Sequence, residues 1–414
     1  MHNRVITQRL QHKAASRFGR ITVLTGARQT GKTTLVRALF PDYTYLSLDD
    51  PITRPDYARL AAVQWQERYP QVILDEVQKL PALLDSVKAT YDQYPHTRYI
   101  LLGSSQILLL EKVSESLAGR AALIELYPLT LPERQTTAYN ETIIPSRLVR
   151  LLMGEPAGIL QGMPLTDTRY AKAENAWADY LEYGAMPTIV DSTVDKAEKR
   201  EWLQDYIRTY LQRDVRDLGN LRELEPFVRA QKTLAALTGQ LLNVSELAKQ
   251  AGISSVTAKR FISYLEISYQ VIQLAPWFRN LNKRLNKSPK VHFLDPGIQR
   301  ILLNRSGTLT GHEFESAVIA EVYKQIKTYA LPVDCFHLRT LDGREVDLLL
   351  ELENGYIALE VKTSRRVSAA DARHLHNLAE LLDKPLLHAL VVSNDPRIQQ
   401  WGEVTAVPVA WLLG

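Results

Sequence analysis

Apolar and polar positions divide the chain into four stretches of different rhythm. In the first, short apolar runs recur between polar, helix-like segments. They are "ITVL" from Ile21, "VIL" before Asp75, "YILL" before Gly103 and "AALIEL" at 121–126. Runs of this kind read as strands of a parallel sheet buried on both faces. "YTYLSLDD", 43–50, supplies one more strand between the first two runs. From Glu133 to Phe227 the rhythm changes, with Leu, Trp and Tyr recurring at spacings of three and four in "AENAWADYLEYGAMP" and "EWLQDYIRTYLQRDVRDL". That stretch predicts helices, interrupted at Gly184 and Pro187.

The third stretch, "NVSELAKQAGISSVTAKRFISYLEISYQVIQL", predicts two short helices about the turn at Gly252. Asn243 or Ser245 would cap the first and Ser254 the second, with Val256, Phe261 and Leu265 facing inward. "YQVIQLAPW" and "KVHFLD" would pair as a wing, which completes a winged-helix pattern. In the fourth stretch Phe314, Val318, Val322 and Ile326 form one helical stripe with Glu315 beside it. "REVDLLLELENGYIALEVKTS" then alternates almost strictly about Asn354-Gly355, a two-residue type I′ hairpin signal. A helix over "SAADARHLHNLAELL" and a strand over "LLHALVVSN" are expected to follow.

The loop after the first strand carries the chemistry. Gly26, Ala27, Arg28, Gln29, Thr30, Gly31, Lys32 and Thr33 fit G-x-x-x-x-G-K-S/T, and Thr34 continues into a helix. The glycines let backbone N–H groups close around phosphate oxygens, and the helix N-terminus favours the anion. Lys32 would reach the β- and γ-phosphates, and the Thr33 hydroxyl would face Mg²⁺. Asp75 and Glu76 end a later strand; Asp75 would hold the metal through water and Glu76 would polarise the attacking water. Ser104 or Ser105, at the end of the third apolar run, would sense the γ-phosphate. Arg120, just before the next strand, would reach a neighbouring subunit's phosphate in a homo-oligomer, or form a surface ion pair.

"TGARQTGKTTL", "LSLDDP", "VILDEVQ", "YILLGSSQ" and "SESLAGR" together resemble the AAA-type ATPases that carry a C-terminal domain of unknown function, the DUF4143 family. The resemblance implies ATP and Mg²⁺ as ligands and an AAA+ core sheet with helices on both faces. It also points to Arg213 and Asp214 in "YLQRDVRDLGN" as a lid contact with nucleotide, against an exposed charged helix face.

The hairpin register counted from Asn354-Gly355 sets Asp347 opposite Lys362, with Glu360 diagonal on the same face. The order helix Glu315, Asp347, then Glu360-x-Lys362 resembles the PD-(D/E)XK nuclease-like fold, with Val346 in place of the proline before Asp347. Two carboxylates suit a hard cation, so Asp347 and Glu360 would hold metal and Lys362 would orient water.

The expected fold is therefore α/β multidomain: an AAA+ P-loop core at 1–135, a helical lid and linker at 136–230, a winged helix at 231–300 and a nuclease-like α/β domain at 305–414. With 50 basic against 46 acidic residues, the net charge of +4 does not force a nucleic-acid partner. DNA contact rests instead on Lys259 and Arg260 of the recognition helix and on Arg279, Lys283, Arg284, Lys287 and Lys290 of the wing. The alternatives are a nucleotide-controlled protein-binding switch with an inactive nuclease-like module, and an ATP-gated nuclease effector. One cysteine, Cys335, suits a reducing cytoplasm, and no run of about 18 apolar residues predicts a membrane span.

Overall fold

The computed structural model describes residues 2–103, 116–190, 193–211, 224–280, 284, 287–340 and 343–414. The apolar runs of the first stretch become β1 (Ile21–Thr25), β2 (Thr44–Ser47), β3 (Gln71–Asp75), β4 (Arg98–Leu102) and β5 (Ala121–Glu125). They form one parallel sheet in the order β2-β3-β4-β1-β5. Alternate residues feed opposite faces. Val23, Leu74 and Leu101 pack with Trp65, Leu84 and Val87 on one side. Leu24, Ile73 and Ile100 pack with Leu10, Leu35 and Val36 on the other. This is the parallel α/β core with helices on both faces that the sequence led us to expect. "YTYLSLDD" does form a strand, but at the sheet edge; the strand inserted between β1 and β3 in space is β4.

The helical stretch contains Arg147–Leu152, Thr168–Tyr183 and Lys196–Tyr206. Gly184 ends the second of these at φ +80, where an added Cβ would lie 1.9 Å from Asp295 Oδ1. The positions of Arg213 and Asp214 lie outside the described residues.

A second sheet holds β6 (Gln240–Leu241), β7 (Val271–Pro276), β8 (Lys290–Phe293), β9 (Asp334–Arg339), β10 (Glu345–Glu351), β11 (Tyr356–Lys362), β12 (Leu386–Ser393), β13 (Gln399–Trp401) and β14 (Val404–Pro408). Its order is β13-β14-β12-β11-β10-β9-β7-β8-β6. The wing pair β7–β8 forms as expected, and β7 also runs parallel to β9 through Ala275↔Phe336. The 231–300 and 305–414 segments thus share one sheet.

Asn243 and Ser254 cap the helices Val244–Ala251 and Ser255–Ile267 with their side chains. Val256 does not face inward: it is 79% exposed, and Ala258, Phe261, Ile262 and Leu265 fill the core side. "SAADARHLHNLAELL" is not an α-helix but two 3₁₀ turns, Ala369–Ala372 and Leu378–Leu381, with Asn377 left-handed at φ +55 before the second.

The β10–β11 hairpin differs from the expected register by two residues. Leu348 faces Leu359 and Glu351 faces Tyr356, so one further step sets Asp347 opposite Glu360, not Lys362. Leu352 N–H donates to Gly355 O at 2.8 Å, which makes Glu353 and Asn354 the turn residues. Neither Asn354 nor Gly355 has the positive φ of a type I′ turn. Glycine suits 355 for another reason: a Cβ there would lie 2.5 Å from Pro385 O. A slip of two preserves the faces, so the apolar side still collects Leu348, Leu350, Ile357 and Leu359.

The long helix Gly311–Tyr329 joins both halves. Its Glu321 and Lys324 form a fully buried pair at 2.7 Å. Glu321 accepts from Leu131 N–H at 2.7 Å, and Lys324 donates to Leu129 O at 3.1 Å. The segment after β5 is therefore fastened to the C-terminal helix by charge-assisted bonds.

Candidate functional site

The phosphate loop begins where β1 leaves the sheet. Gly26 has φ +149, and a Cβ there would sit 2.2 Å from Leu126 O, so only glycine fits against the end of β5. Gln29 at φ +63 and Gly31 at φ +89 complete the curl before the helix Lys32–Leu39. Lys32 is buried and its ammonium donates to Gly26 O at 2.9 Å and Ala27 O at 2.8 Å. It is held over the loop by neutral carbonyls, which a phosphate oxygen can replace as a stronger acceptor.

Thr33 and Asp75 meet although 42 residues separate them. Thr33 Oγ1 donates to Asp75 Oδ2 at 2.7 Å. Tyr45 O–H, from β2, donates to the same oxygen at 2.8 Å, a partner that sequence reading missed. The β2–β3 register, Tyr45↔Ile73 and Ser47↔Asp75, puts Tyr45 two residues away on the neighbouring strand. Burial and then Asp75 push the Tyr45 phenol up to about 12, so it remains a donor. Glu76 follows in left-handed conformation, φ +58, with Gln78 hydrogen-bonded to its carboxylate. A hydroxyl beside a carboxylate, both hard oxygens, at the end of a phosphate loop fits Mg²⁺.

Other segments surround the loop. Arg4 ties Thr30 O at 2.9 Å, Tyr127 O at 2.6 Å and Glu133 at 3.1 Å. Tyr206 O–H, from the helical stretch, reaches Arg28 O at 3.1 Å. A cleft of about 530 Å³ opens between the loop residues Gln29, Thr30 and Thr34 and the outer residues His2, Arg134 and Pro187. Tyr269, two residues beyond the helix Ser255–Ile267, contacts Thr25 Oγ1 at 2.9 Å and Glu125 at 3.1 Å, with Thr25 immediately before the loop. Arg4, Tyr206 and Tyr269 carried no motif; their roles come from long-range packing. Ser104 and Ser105 lie outside the described residues, but Gly103 N–H bonds to Leu24 O at 3.4 Å, which brings the end of β4 beside the loop.

Arg120 sits at the opposite end of the sheet. It precedes Ala121, which pairs with Ile21 at the start of β1. A five-residue strand, roughly 16 Å, separates that level from Gly26. Its guanidinium grips Asp92 at 2.8 and 3.0 Å.

Three of the wing's basic residues make contacts within the protein. Arg279 donates to Leu381 O and Leu382 O at 3.1 and 2.9 Å. Arg284 pairs with Glu351 at 2.8 Å and lies over the Phe336 ring. Lys290 is 3% exposed, so it cannot touch a DNA backbone. Lys290 corrects the expected patch, because β8 is paired on both sides within the sheet; Arg284 is half-buried and Arg279 stays exposed. Lys287 is exposed, and Lys283 lies outside the described residues. On the helix Ser255–Ile267, Lys259 and Arg260 are exposed as expected, and Ser255 is exposed with them.

Lys290 instead enters the C-terminal acid centre. Its ammonium is 2.9 Å from Glu315, 2.7 Å from Glu345 and 3.8 Å from Asp347. Glu345, His312 and His374 join the centre without having been singled out in the sequence. Asp347 accepts Val361 N–H at 2.8 Å. Glu360 pairs with Lys362 at 2.7 Å and with His374 at 3.7 Å. Burial first, then the charges of Glu315 and Glu360, hold the Asp347 carboxyl well above the usual range. Burial also raises Glu360. Burial opposes ionisation of Glu315, but His312 and Lys290 outweigh it and lower its pKa. Among the described residues no three acidic, histidine or cysteine side chains are arranged to hold a metal. Asp347 and Glu360 do lie opposite each other, and each has a lysine beside it: Lys290 at 3.8 Å from Asp347 and Lys362 at 2.7 Å from Glu360.

Comparisons with known proteins match three parts of the chain. An AAA domain matches residues 19–135, a domain of unknown function DUF8612 matches 174–309, and DUF4143 matches 310–412. An uncharacterised protein of Mycobacterium tuberculosis is 28% identical over 408 residues, covering 95% of this chain and 81% of that one. An uncharacterised protein of Mycobacterium bovis matches to the same extent. Among solved structures, a Walker-type ATPase of Pyrococcus abyssi aligns with 72% of this chain and 94% of its own, at 14% identity and a TM-score of 0.45. A signal transduction ATPase with a tetratricopeptide repeat sensor from Pyrococcus horikoshii aligns with 76% and 44%, at 12% identity and a TM-score of 0.26. The chain thus carries an AAA domain with a P-loop core and, C-terminal to it, a DUF4143 domain, the combination its motifs resemble.

Proposed function

We propose that the protein hydrolyses ATP with Mg²⁺ at the loop of β1, and that nucleotide state is passed to the helix-turn-helix unit. The observation that carries this is the 2.7 Å bond from Thr33 to Asp75 beside the lysine-bearing loop. Mg²⁺ supplies charge for the developing phosphate oxygens. Thr33 and Asp75 would hold it, Lys32 would move from loop carbonyls to phosphate, and Glu76 would accept a proton from the attacking water. The cleft bounded by His2, Arg134 and Pro187 has room for the base and ribose. The Tyr269 contact to Thr25 gives the loop a mechanical route to the recognition helix.

Arg120 serves a neighbouring copy in this reading, because its sheet end is remote from its own loop. DNA contact in this reading is carried by the exposed Ser255, Lys259, Arg260, Arg279 and Lys287, without Lys290. The burial of Lys290 favours a second reading, in which the unit binds protein under nucleotide control. No helix of the described chain is long and apolar enough to cross a membrane.

The test is ATP turnover by wild type, Lys32→Ala and Glu76→Gln, with Mg²⁺ or with chelator, and with or without duplex DNA. Turnover that survives Glu76→Gln defeats the hydrolytic assignment. Duplex binding that is insensitive to salt and to Lys259→Ala with Arg260→Ala defeats the DNA reading and leaves the switch.

A further inference from the structure

We propose that Lys290 is the resident cation of the C-terminal acid centre, beside Asp347, one of the two acids expected to hold a divalent metal, so that the centre stays closed to metal while β8 remains in the sheet. This does not rest on the ATPase assignment. The acids arrive from two elements: Glu315 from the helix Gly311–Tyr329, and Glu345 and Asp347 from β10. The lysine comes from a third, β8, which belongs to the helix-turn-helix unit by chain order.

Three features mark the ammonium as part of the centre. It is 3% exposed yet within 2.9 Å of two carboxylates and 3.8 Å of a third, so its charge is matched locally. Its backbone is paired on both sides, with Leu274 of β7 and Leu241 of β6, so the residue keeps this place in the sheet while the ladder holds. The remaining acid, Glu360, is turned to Lys362 and His374, and its Oε2 is buried without a hydrogen-bond partner. An uncompensated cluster of buried carboxylates is strongly unfavourable, and one cation must offset it. A lysine fulfils that need without the open coordination positions that metal-assisted chemistry requires. It also fastens the helix-turn-helix unit to the C-terminal sheet through charge.

Nucleotide-free protein is titrated with Mn²⁺ and followed by water-proton relaxation. Wild type and Asp347→Asn are expected to give the same curve. Lys290→Met is expected to gain a site binding Mn²⁺ at least about tenfold more tightly, lost again in Lys290→Met with Asp347→Asn. Mn²⁺ uptake by wild type that disappears in Asp347→Asn overturns the proposal. So does a Lys290→Met curve that matches wild type. Should Lys290→Met not fold, Lys290→Met with Glu345→Gln, which removes one charge of each sign, takes its place with the same expected gain. The wild type against Asp347→Asn comparison decides independently of either variant.

Discussion

Two lysine-and-carboxylate centres sit in this chain, and they use the same residue types oppositely. At the phosphate loop, Lys32 rests on the uncharged carbonyls of Gly26 and Ala27, while Asp75 is served by the hydroxyls of Thr33 and Tyr45. Those contacts are to uncharged groups, which a polyphosphate and its metal can replace. In the C-terminal centre Lys290 lies directly between Glu315 and Glu345, and Lys362 lies on Glu360. There the charges satisfy one another. An acid beside a lysine is thus not a site in itself; what matters is whether the pair is already closed.

The largest expected effect follows from the open centre. Glu76→Gln keeps nucleotide binding but lowers ATP turnover by about 10²–10⁴-fold, because a proton acceptor is lost without a change in shape. Single-turnover kinetics beside equilibrium ATP binding separate the two. Equal loss of both would place Glu76 in binding and blur the contrast.

The closed centre should respond through stability. Lys290→Met leaves buried carboxylates without their cation and should cost about 3–5 kcal/mol in denaturant unfolding. An unchanged midpoint would mean that the acids do not depend on it. At the open centre Tyr45→Phe removes one donor to Asp75 while Thr33 and the Glu76 amide remain. We expect a loss of about 0.5–1.5 kcal/mol in Mg²⁺-ATP affinity, with folding intact. Arg120→Ala, at an exposed ion pair with Asp92, should leave the melting temperature unchanged. Its ATP turnover should fall at concentrations where copies associate and stay unchanged in dilute protein.

The same contrast explains what was legible in the sequence. The loop from Gly26 to Thr33 and the strand ending at Asp75 are contiguous motifs, and local apolar patterning was enough to orient them. Arg4, Tyr45 and Tyr206 were not legible, because each meets the loop from a remote segment. The strand faces of Asp347 and Glu360 were legible from alternation, yet their register was off by two, because Asn354-Gly355 does not form the turn its dipeptide suggests. The role of Lys290 could not be read at all. Its neighbours in sequence form a basic run, and only the pairing of β8 on both sides sets Lys290 apart from that run. The two 3₁₀ turns over 369–381 show the same limit: helical spacing was present, but Asn377 takes a left-handed conformation.

The smallest effect concerns pH and again distinguishes the closed centre. His292, two residues beyond Lys290 on β8, is fully buried with neither ring nitrogen hydrogen-bonded. Burial pushes its pKa down to about 3, with Lys290, His337 and His312 lowering it further and Glu315 opposing them. An unfolded histidine titrates near ~6.5. Between those values the unfolded chain binds a proton that the folded chain refuses, so this contribution to stability is full above about pH 6.5 and is lost as pH falls toward 3. The paired acids Glu315 and Glu345, lowered by Lys290, lose their contribution further into the acid range. Glu360 and Asp347, whose pKa values are raised, act in the opposite sense. The histidine share is isolated by His292→Leu. Denaturant midpoints at pH 7 and pH 4.5 should converge in the variant relative to wild type. Equal acid sensitivity in both proteins would assign the loss to the carboxylates rather than to the imidazole beside them.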